Sequence, residues 1–318
     1  MIGIVVIGRN EGNKLQRCLE SLLPLACPIV YADSYSSDGS VMIAETLGVA
    51  VAQLDPSRPM NAARGRKEGF ERLLAEYSGL EYVFFVDGDC EINPSFFPVA
   101  LQILAQRSDV AAVCGLLIEL HPEVSIYNRI ANLEWKAAVG ECASCGGIAL
   151  IRVSAYLKAG GFNETVLAGE EPELCARIRR QGYKVLRIDE VMAWHDLNMH
   201  HLSQWWRRGV RSGYGALDVR LRFGVREFDK LLVSAWVWVL GWPLFSLVVL
   251  LGFWLDGAST VGVGLLLLTL LPLQVLRIAR SAYQRGLTNL DSLAYGALMM
   301  VNKLSCVWGQ VIWLLQKR

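Results

Sequence analysis

Apolar and polar positions fall into two regimes along the chain. Up to about residue 110, short β-branched or aromatic runs at 2–7, 28–32, 49–54 and 82–86 alternate with stretches of helical period at 13–23, 39–47 and 61–77. That alternation predicts an α/β domain with a mostly parallel, Rossmann-like sheet and right-handed crossovers. From 111 to 195 the pattern is less regular. It predicts strands at 111–120, 148–152 and 184–188 and helices at 125–139 and 172–181, the second closed by Gly182. Past residue 230 the pattern changes again. Residues 231–255 make 25 positions without a charge, and 257–276 make another 20. Each is long enough to cross a hydrocarbon layer of about 30 Å as a helix. A third apolar run, 293–315, is broken by Asn302 and Lys303. Membrane helices are therefore expected at about 231–255, 258–276 and 293–315, the last read as spanning rather than interfacial.

Composition agrees. The 318 residues are 53% hydrophobic with a mean hydropathy of +0.33, high for a wholly soluble protein. A net charge of +1 gives no global attraction for nucleic acid. The apolar residues 2–8 are stopped by Arg9-Asn10-Glu11 and preceded by no basic region, so they read as a buried strand rather than a signal segment. Eight cysteines are scattered, and Cys142-Ala-Ser-Cys145 is the one C-x-x-C; no second pair completes a zinc site in sequence. Buried thiols in a reducing compartment are the expectation.

Charge also orients the membrane part. Arg226 and Lys230 precede the first apolar run, Arg277, Arg280 and Arg285 follow the second, and the tip Asp256–Ser259 carries only an acid. The positive-inside rule places the basic flanks, and the first domain with them, in the cytosol. The expected organisation is a catalytic domain at 1–225, with amphipathic helices from about 196, and a membrane domain at 226–318. The expected location is a bacterial inner membrane, crossed more than once.

Three of the predicted strands end in polar clusters: Arg9-Asn10-Glu11, Asp33 with Ser36-Ser37-Asp38-Gly39, and Asp87-Gly88-Asp89. In parallel α/β sheets ligands bind at these carboxyl ends. Asp87 and Asp89 follow the apolar strand 82–86 and offer two hard oxygen ligands, suited to Mg²⁺ or Mn²⁺ with remaining ligands from phosphate. Such an ion neutralises a diphosphate leaving group. Asp38, just before Gly39 and a helical run, suits helix capping.

At this point the chain resembles the family 2 glycosyltransferases of GT-A fold over roughly residues 1–225. The resemblance rests on the segments 5–11 and 33–40, Asn61-Ala-Ala-Arg64, the D-x-D at Asp87 and Asp89, Gly146-Gly147 with Arg152, Gly160-Gly161-Phe162-Asn163-Glu164 and Gly169-Glu170-Glu171-Pro172-Glu173-Leu174. It implies transfer of a sugar from a UDP- or GDP-sugar, usually with inversion. It further implies nucleotide contacts at Glu11, Asp33, Arg64 and Asp87, and close approach of a sugar to the backbone at Gly147. The metal set is Asp87, Asp89 and His195. Glu170-Glu171 stands where the family has Glu-Asp, which makes Glu171 the expected base with Glu170 beside it and Glu173 as runner-up. Gln204-Trp205-Trp206-Arg207-Arg208 is similar to the family's Q-x-x-R-W, so Gln204 and Arg207 are expected at the diphosphate and acceptor. Arg208 in place of Trp weakens a processive reading. The plainer reading of this stretch is an interfacial helix, with Trp205 and Trp206 at headgroup depth and six arginines from Arg207 to Arg226 facing anionic lipid.

The expected acceptor is membrane-associated: a lipid-linked sugar, a glycolipid or a growing polysaccharide. Three alternatives stand beside it. A polyprenyl-phosphate sugar synthase shares the expected fold. A membrane nucleotidyltransferase needs a Gly- and Lys-rich loop that Gly8-Arg9-Asn10-Glu11-Gly12 matches poorly. An inactive nucleotide-binding scaffold is disfavoured by intact Asp87, Asp89 and Glu171.

Overall fold

The computed structural model describes residues 1–255 and 260–316. In chain order the elements are β1 (Ile2–Gly8), α1 (Asn13–Leu22), β2 (Ile29–Asp33), α2 (Ser40–Thr46), β3 (Ala50–Gln53), α3 (Ala62–Glu76), β4 (Tyr82–Asp87), β5 (Cys90–Ile92), α4 (Phe96–Gln106), β6 (Val110–Glu119), α5 (Ile126–Trp135), β7 (Gly140–Glu141), β8 (Ala149–Arg152), α6 (Val153–Lys158), α7 (Glu170–Arg180), β9 (Lys184–His195), α8 (Leu202–Phe223), α9 (Asp229–Trp236), α10 (Trp242–Leu255), α11 (Thr260–Gln284) and α12 (Asn289–Gln316). They form two compact units. One comprises Met1–Pro122 and Glu134–Asn198; the other comprises Glu123–Leu133 and the described residues from Met199 onward.

The first unit is built on one sheet of order β3-β2-β1-β4-β8-β6-β9-β5, with β7 beside β9. β3, β2, β1 and β4 run parallel, as the alternating pattern predicts. β8 then enters antiparallel between β4 and β6, and β5 and β7 pair antiparallel with β9. The sheet is thus mixed, with a parallel half. Strand direction depends on where the long excursion after β6 returns, which local periodicity does not encode.

β1, β2 and β4 are buried almost end to end, which is why they read as apolar runs rather than alternating ones. Phe85 packs perpendicular to Phe162 at 5.1 Å, and Tyr156 stands edge-on to Phe70 at 4.7 Å. Each such ring contributes about 1.5–3 kcal/mol through burial. Helix α3 lies close on this layer because Gly69 has no side chain: a Cβ there would meet Val5 at 2.6 Å. That approach brings the start of α3 to the sheet edge. β9 extends to His195, well past the predicted 184–188, and α5 ends at Trp135, short of 139. β5, α4, β7 and α6 were not anticipated.

The second unit is helical. α8 crosses α12 tightly through glycines: a Cβ on Gly209 would meet Ser305, one on Gly213 the Cys306 backbone, and one on Gly309 the Val210 carbonyl. Helix α8 therefore packs with the apolar helices, in the compact unit that takes in the described residues from Met199 onward. Trp205, expected at headgroup depth, is instead buried, its ring 5.8 Å from Tyr127. Buried Asp218 accepts from Trp313 Nε1 at 2.7 Å and from Arg222 at 2.8 Å.

Three helical stretches, Arg226–Leu255, Gly262–Gln284 and Asn289–Gln316, are long and apolar enough to cross a membrane. Leu244, Phe245, Val248 and Trp254 are exposed on the first of them, an apolar face of a kind that marks a membrane or partner surface. The third runs unbroken through Asn302 and Lys303; Lys303 Nζ donates to Ser234 Oγ at 2.7 Å, so the cation has a partner inside the unit. The predicted hairpin tip, Asp256–Ser259, lies outside the described residues.

Candidate active site

The parallel half of the sheet aligns its carboxyl ends. Gly8 pairs with Asp33 and Ile7 with Asp87. Asp33 and Asp87 therefore stand two strand spacings apart, about 10 Å. Between them Glu11 lies along the end of β1; Cβ atoms added to Gly8 and Gly88 would fall 3.0 and 3.5 Å from its Cγ. Burial, followed by the charge of Asp89, raises the Glu11 carboxyl to about 7, against a lowering pull from Lys14.

Asp33 is fully buried. Its Oδ1 accepts from the hydroxyls of Tyr31 at 2.9 Å and Ser36 at 2.5 Å, and its Oδ2 from the Ser36 amide at 2.9 Å. It thereby holds the loop that carries Ser36, whose Oγ accepts from the Asn10 amide at 2.9 Å. Asp38 accepts from the Ser40 amide at 2.9 Å in the turn before α2, whose N-cap position is Gly39 rather than Asp38.

The D-x-D acids divide. Asp87 Oδ1 accepts from Arg66 Nη2 at 2.7 Å; Arg66 Nη1 donates at 2.7 Å to Glu170 Oε1. Burial and the charge of Asp89 hold the Asp87 carboxyl above its ordinary range, with Arg66 opposing. Asp89 turns the other way: its Oδ2 lies 3.2 Å from His195 Nε2. Burial alone would raise Asp89, but the His195 hydrogen bond and charge and the Lys14 charge leave it below the usual carboxylate range. Burial would likewise lower His195, yet its bond to Asp89 and the charges of Asp89, Asp87 and Glu119 carry its pKa upward. β9 presents His195 through its pairing with Cys90 on β5, and Trp135 stands edge-on to the imidazole at 4.8 Å.

Donor atoms of Asp89, Cys90 and His195 all lie within 4.8 Å of one another. The 3.2 Å between Asp89 and His195 matches the roughly 3 Å edge between ligands of an octahedral ion bound at about 2.1 Å. His195 Nδ1 is buried without a partner among the described residues, so Nε2 is its atom available at the edge. These residues fit a small divalent cation. Asp87 stands outside the group, committed at one oxygen to Arg66.

Arg66 is the residue sequence reasoning missed. The motif singled out Arg64, but Arg64 is buried and turned away. Its Nε donates to Glu68 at 2.6 Å and its Nη1 to the Asp55 and Arg58 carbonyls at 2.9 and 3.1 Å. It braces the 55–59 loop. Two residues on, the same helix directs Arg66 to the opposite side, over the Phe162 ring at 5.5 Å. Asn61 caps the helix by accepting from the Arg64 amide and ties it to the Glu164 carbonyl at 2.9 Å. The motifs at Asn61 and Gly160–Glu164 thus position Arg66. No sequence signal chose between them: residues at i and i+2 lie on different faces of a helix, and the burial of both arginines is known only from the structure. Arg66→Ala would leave Asp87 and Glu170 without their buried counter-charge. It is expected to destabilise the protein by about 3–5 kcal/mol, read as a lowered thermal midpoint. Arg66→Lys should recover little, because a single ammonium does not reproduce the two-armed contact.

Gly147 sits against this pair: its φ is +97°, and a Cβ would meet Arg66 Nη2 at 3.3 Å and Asp87 Oδ2 at 3.7 Å. Glu170 and Glu171 open α7, whose first turn is all acidic apart from Pro172, as the helix dipole favours. Glu173 is bound at both oxygens by Arg177, at 2.7 and 2.6 Å, which removes it as a base. Glu171 is buried; its Oε1 accepts from the Cys145 amide and from the Cys175 thiol. Burial raises its pKa, the Cys175 and backbone hydrogen bonds opposing. Its charge is felt at Arg66. Gln204 and Arg207 lie in the second unit. Gln204 Oε1 accepts from the His200 and His201 amides at 2.8 and 2.9 Å, closing a capping box at the start of α8, and Arg207 is exposed.

The raised acid gives a pH expectation for the metal-free protein. The folded state holds a proton on Glu11 that the unfolded chain releases near 4.5, and keeps it until about 7. Stability therefore falls as pH rises through that window. Glu11→Gln is expected to flatten the fall in a series of thermal midpoints between pH 4.5 and 7.

The site thus comprises a strand-edge acid pair with a histidine beside it and an acidic helix start linked to it through Arg66. Residues 3–136 match the family model Glycosyl transferase family 2. The succinoglycan biosynthesis protein ExoA of Rhizobium meliloti (strain 1021) is 27% identical over 206 residues, 59% of this chain and 61% of the relative. The match thus spans about three-fifths of that relative's length. Among solved structures, the mannosyltransferase PcManGT from Pyrobaculum calidifontis, in complex with GDP-Man and Mn²⁺, shares the fold. It is 14% identical with a TM-score of 0.60, over 100% of this chain and 88% of that one.

Proposed function

We propose that the chain is a membrane-bound glycosyltransferase that moves a sugar from a nucleoside-diphosphate donor to a membrane-associated acceptor in polysaccharide or glycolipid assembly. One observation carries this reading: side chains of four separate segments meet at one strand edge, where Arg66 of α3 links Asp87 to Glu170 of α7 and His195 of β9 faces Asp89. The family domain, the relationship to a succinoglycan biosynthesis protein and three apolar helices support it.

Asp89 and His195 would hold Mg²⁺ or Mn²⁺, which when bound supplies positive charge to a diphosphate leaving group. Asp87, kept in place by Arg66, faces the nucleotide sugar, and Glu11 and Asp33 border the nucleoside side of the same edge. Gly147 leaves room against Arg66 and Asp87 for the sugar. Glu171 is the base that takes the acceptor proton: burial raises its proton affinity toward the range a base needs. Glu170 positions Arg66. With one base opposite the leaving group, the transfer inverts the anomeric carbon. Arg207 and Gln204 are assigned to the acceptor side, and the domain faces the cytosol of a bacterial inner membrane.

The reading is tested with detergent-purified protein and a panel of UDP- and GDP-sugars with Mn²⁺. A donor that raises the thermal midpoint only with the metal, and is turned over when membrane lipid is added, supports it. A strict requirement for polyprenyl phosphate would replace it with a polyprenyl-phosphate sugar synthase; absence of binding and turnover with every donor would leave a scaffold.

A further inference from the structure

The C-x-x-C at Cys142 and Cys145 lacked a second pair in sequence. The fold brings Cys145 instead to a further cysteine and an acid, Cys175 and Glu171. Cys175 sits one turn along α7 from Glu171, so both side chains point the same way. Cys175 Sγ lies 4.0 Å from Cys145 Sγ and 3.0 Å from Glu171 Oε1. Donor atoms of Cys145, Glu171 and Cys175 are all within 4.8 Å of one another, and all three residues are buried. Thiolates at about 2.3 Å and a carboxylate at about 2.1 Å from a tetrahedral ion stand roughly 3.6–3.8 Å apart. The sulfur–sulfur spacing is 0.2 Å above that and the sulfur–oxygen spacing, a hydrogen bond in the metal-free protein, is shorter, so binding requires side-chain adjustments of a few tenths of an ångström.

All eight cysteines are free thiols. A buried carboxylate held in part by a weak thiol donor is a costly arrangement as it stands. An ion would satisfy it. A cavity of about 210 Å³ lined by Cys145, Gly146 and Arg187 gives access.

We propose that Cys145, Cys175 and Glu171 bind a soft divalent cation of the zinc class. Thiolate donors select such an ion over magnesium, so the site is chemically distinct from the Asp89–His195 edge. Binding releases the thiol protons to solvent. The site does not depend on the catalytic reading. Where Glu171 also serves as base, ion binding withdraws it, and the soft metal opposes turnover.

The test uses full-length Asp89→Asn protein, so that the other edge adds no signal, titrated with Co²⁺. One equivalent is expected to develop thiolate-to-cobalt charge-transfer and tetrahedral d–d bands, displaced by one equivalent of Zn²⁺. Cys145→Ser with Cys175→Ser should lose them, and Cys306→Ser should keep them. No charge-transfer band in Asp89→Asn, or its survival in the double serine variant, overturns the proposal. A second measurement needs no variant. In wild-type protein under mild urea, Zn²⁺ is expected to slow alkylation of Cys145 and Cys175, read by mass spectrometry, and to leave Cys27 unchanged. Equal rates with and without zinc also overturn it.

Discussion

Asp89→Asn is expected to lower metal-supported donor turnover by about 10³-fold, the scale of losing a main electrostatic contact to developing charge. The side chain keeps its shape and loses its charge. Two consequences separate this from misfolding. The thermal midpoint should stop responding to Mn²⁺. In the metal-free protein His195 should also lose its principal counter-charge, so its pKa falls and the stability that its protonated form contributes disappears below neutral pH. Imidazole titration by NMR reads that change directly. Turnover retained at the wild-type level, with an unaltered manganese response, would remove the metal edge from the mechanism.

Glu171→Gln is expected to lower turnover by about 10²–10⁴-fold, the usual contribution of a general base, while a donor nucleotide still raises the thermal midpoint with Mn²⁺. The amide preserves an acceptor for the Cys145 amide and so tests proton removal more than packing. Glu170→Gln reads differently. It frees one arm of Arg66, so its effect should fall on donor affinity and stability first. A larger loss of turnover at fixed donor saturation for Glu170→Gln than for Glu171→Gln would reverse the assignment of the two acids. Glu171→Asp is informative as well: it restores the carboxylate one methylene short of its place under the Cys145 turn, and partial recovery is expected.

Much of the parallel half of the sheet was legible because its strands are buried on both faces. Burial of that kind writes itself as uninterrupted Val, Ile and Phe at 2–7 and 82–86, and the polar residues that follow mark the sheet edge without further information. The apolar helices were legible for the same reason, length and lack of charge being local properties. Short elements were not. β5 has three residues and β7 two, too few for any period to show. The apolar helix α4 has weak amphipathic contrast because much of it is buried, and it followed directly on a segment already assigned to the acid motif.

What the sequence by itself determined was the set of chemical groups and their order: Glu11, Asp33, Asp87, Asp89, Glu170, Glu171 and His195, each at the end of a strand or start of a helix. Only the tertiary structure decided which of them face one another. Arg66 rather than Arg64 bridges the acids because the close seating of Gly69 on Val5 fixes the rotation of α3, and a rotation is invisible in one dimension. The donor atoms of Cys145, Glu171 and Cys175 meet because the loop before β8 and α7 converge on one volume, a long-range packing outcome that no spacing in the chain expresses.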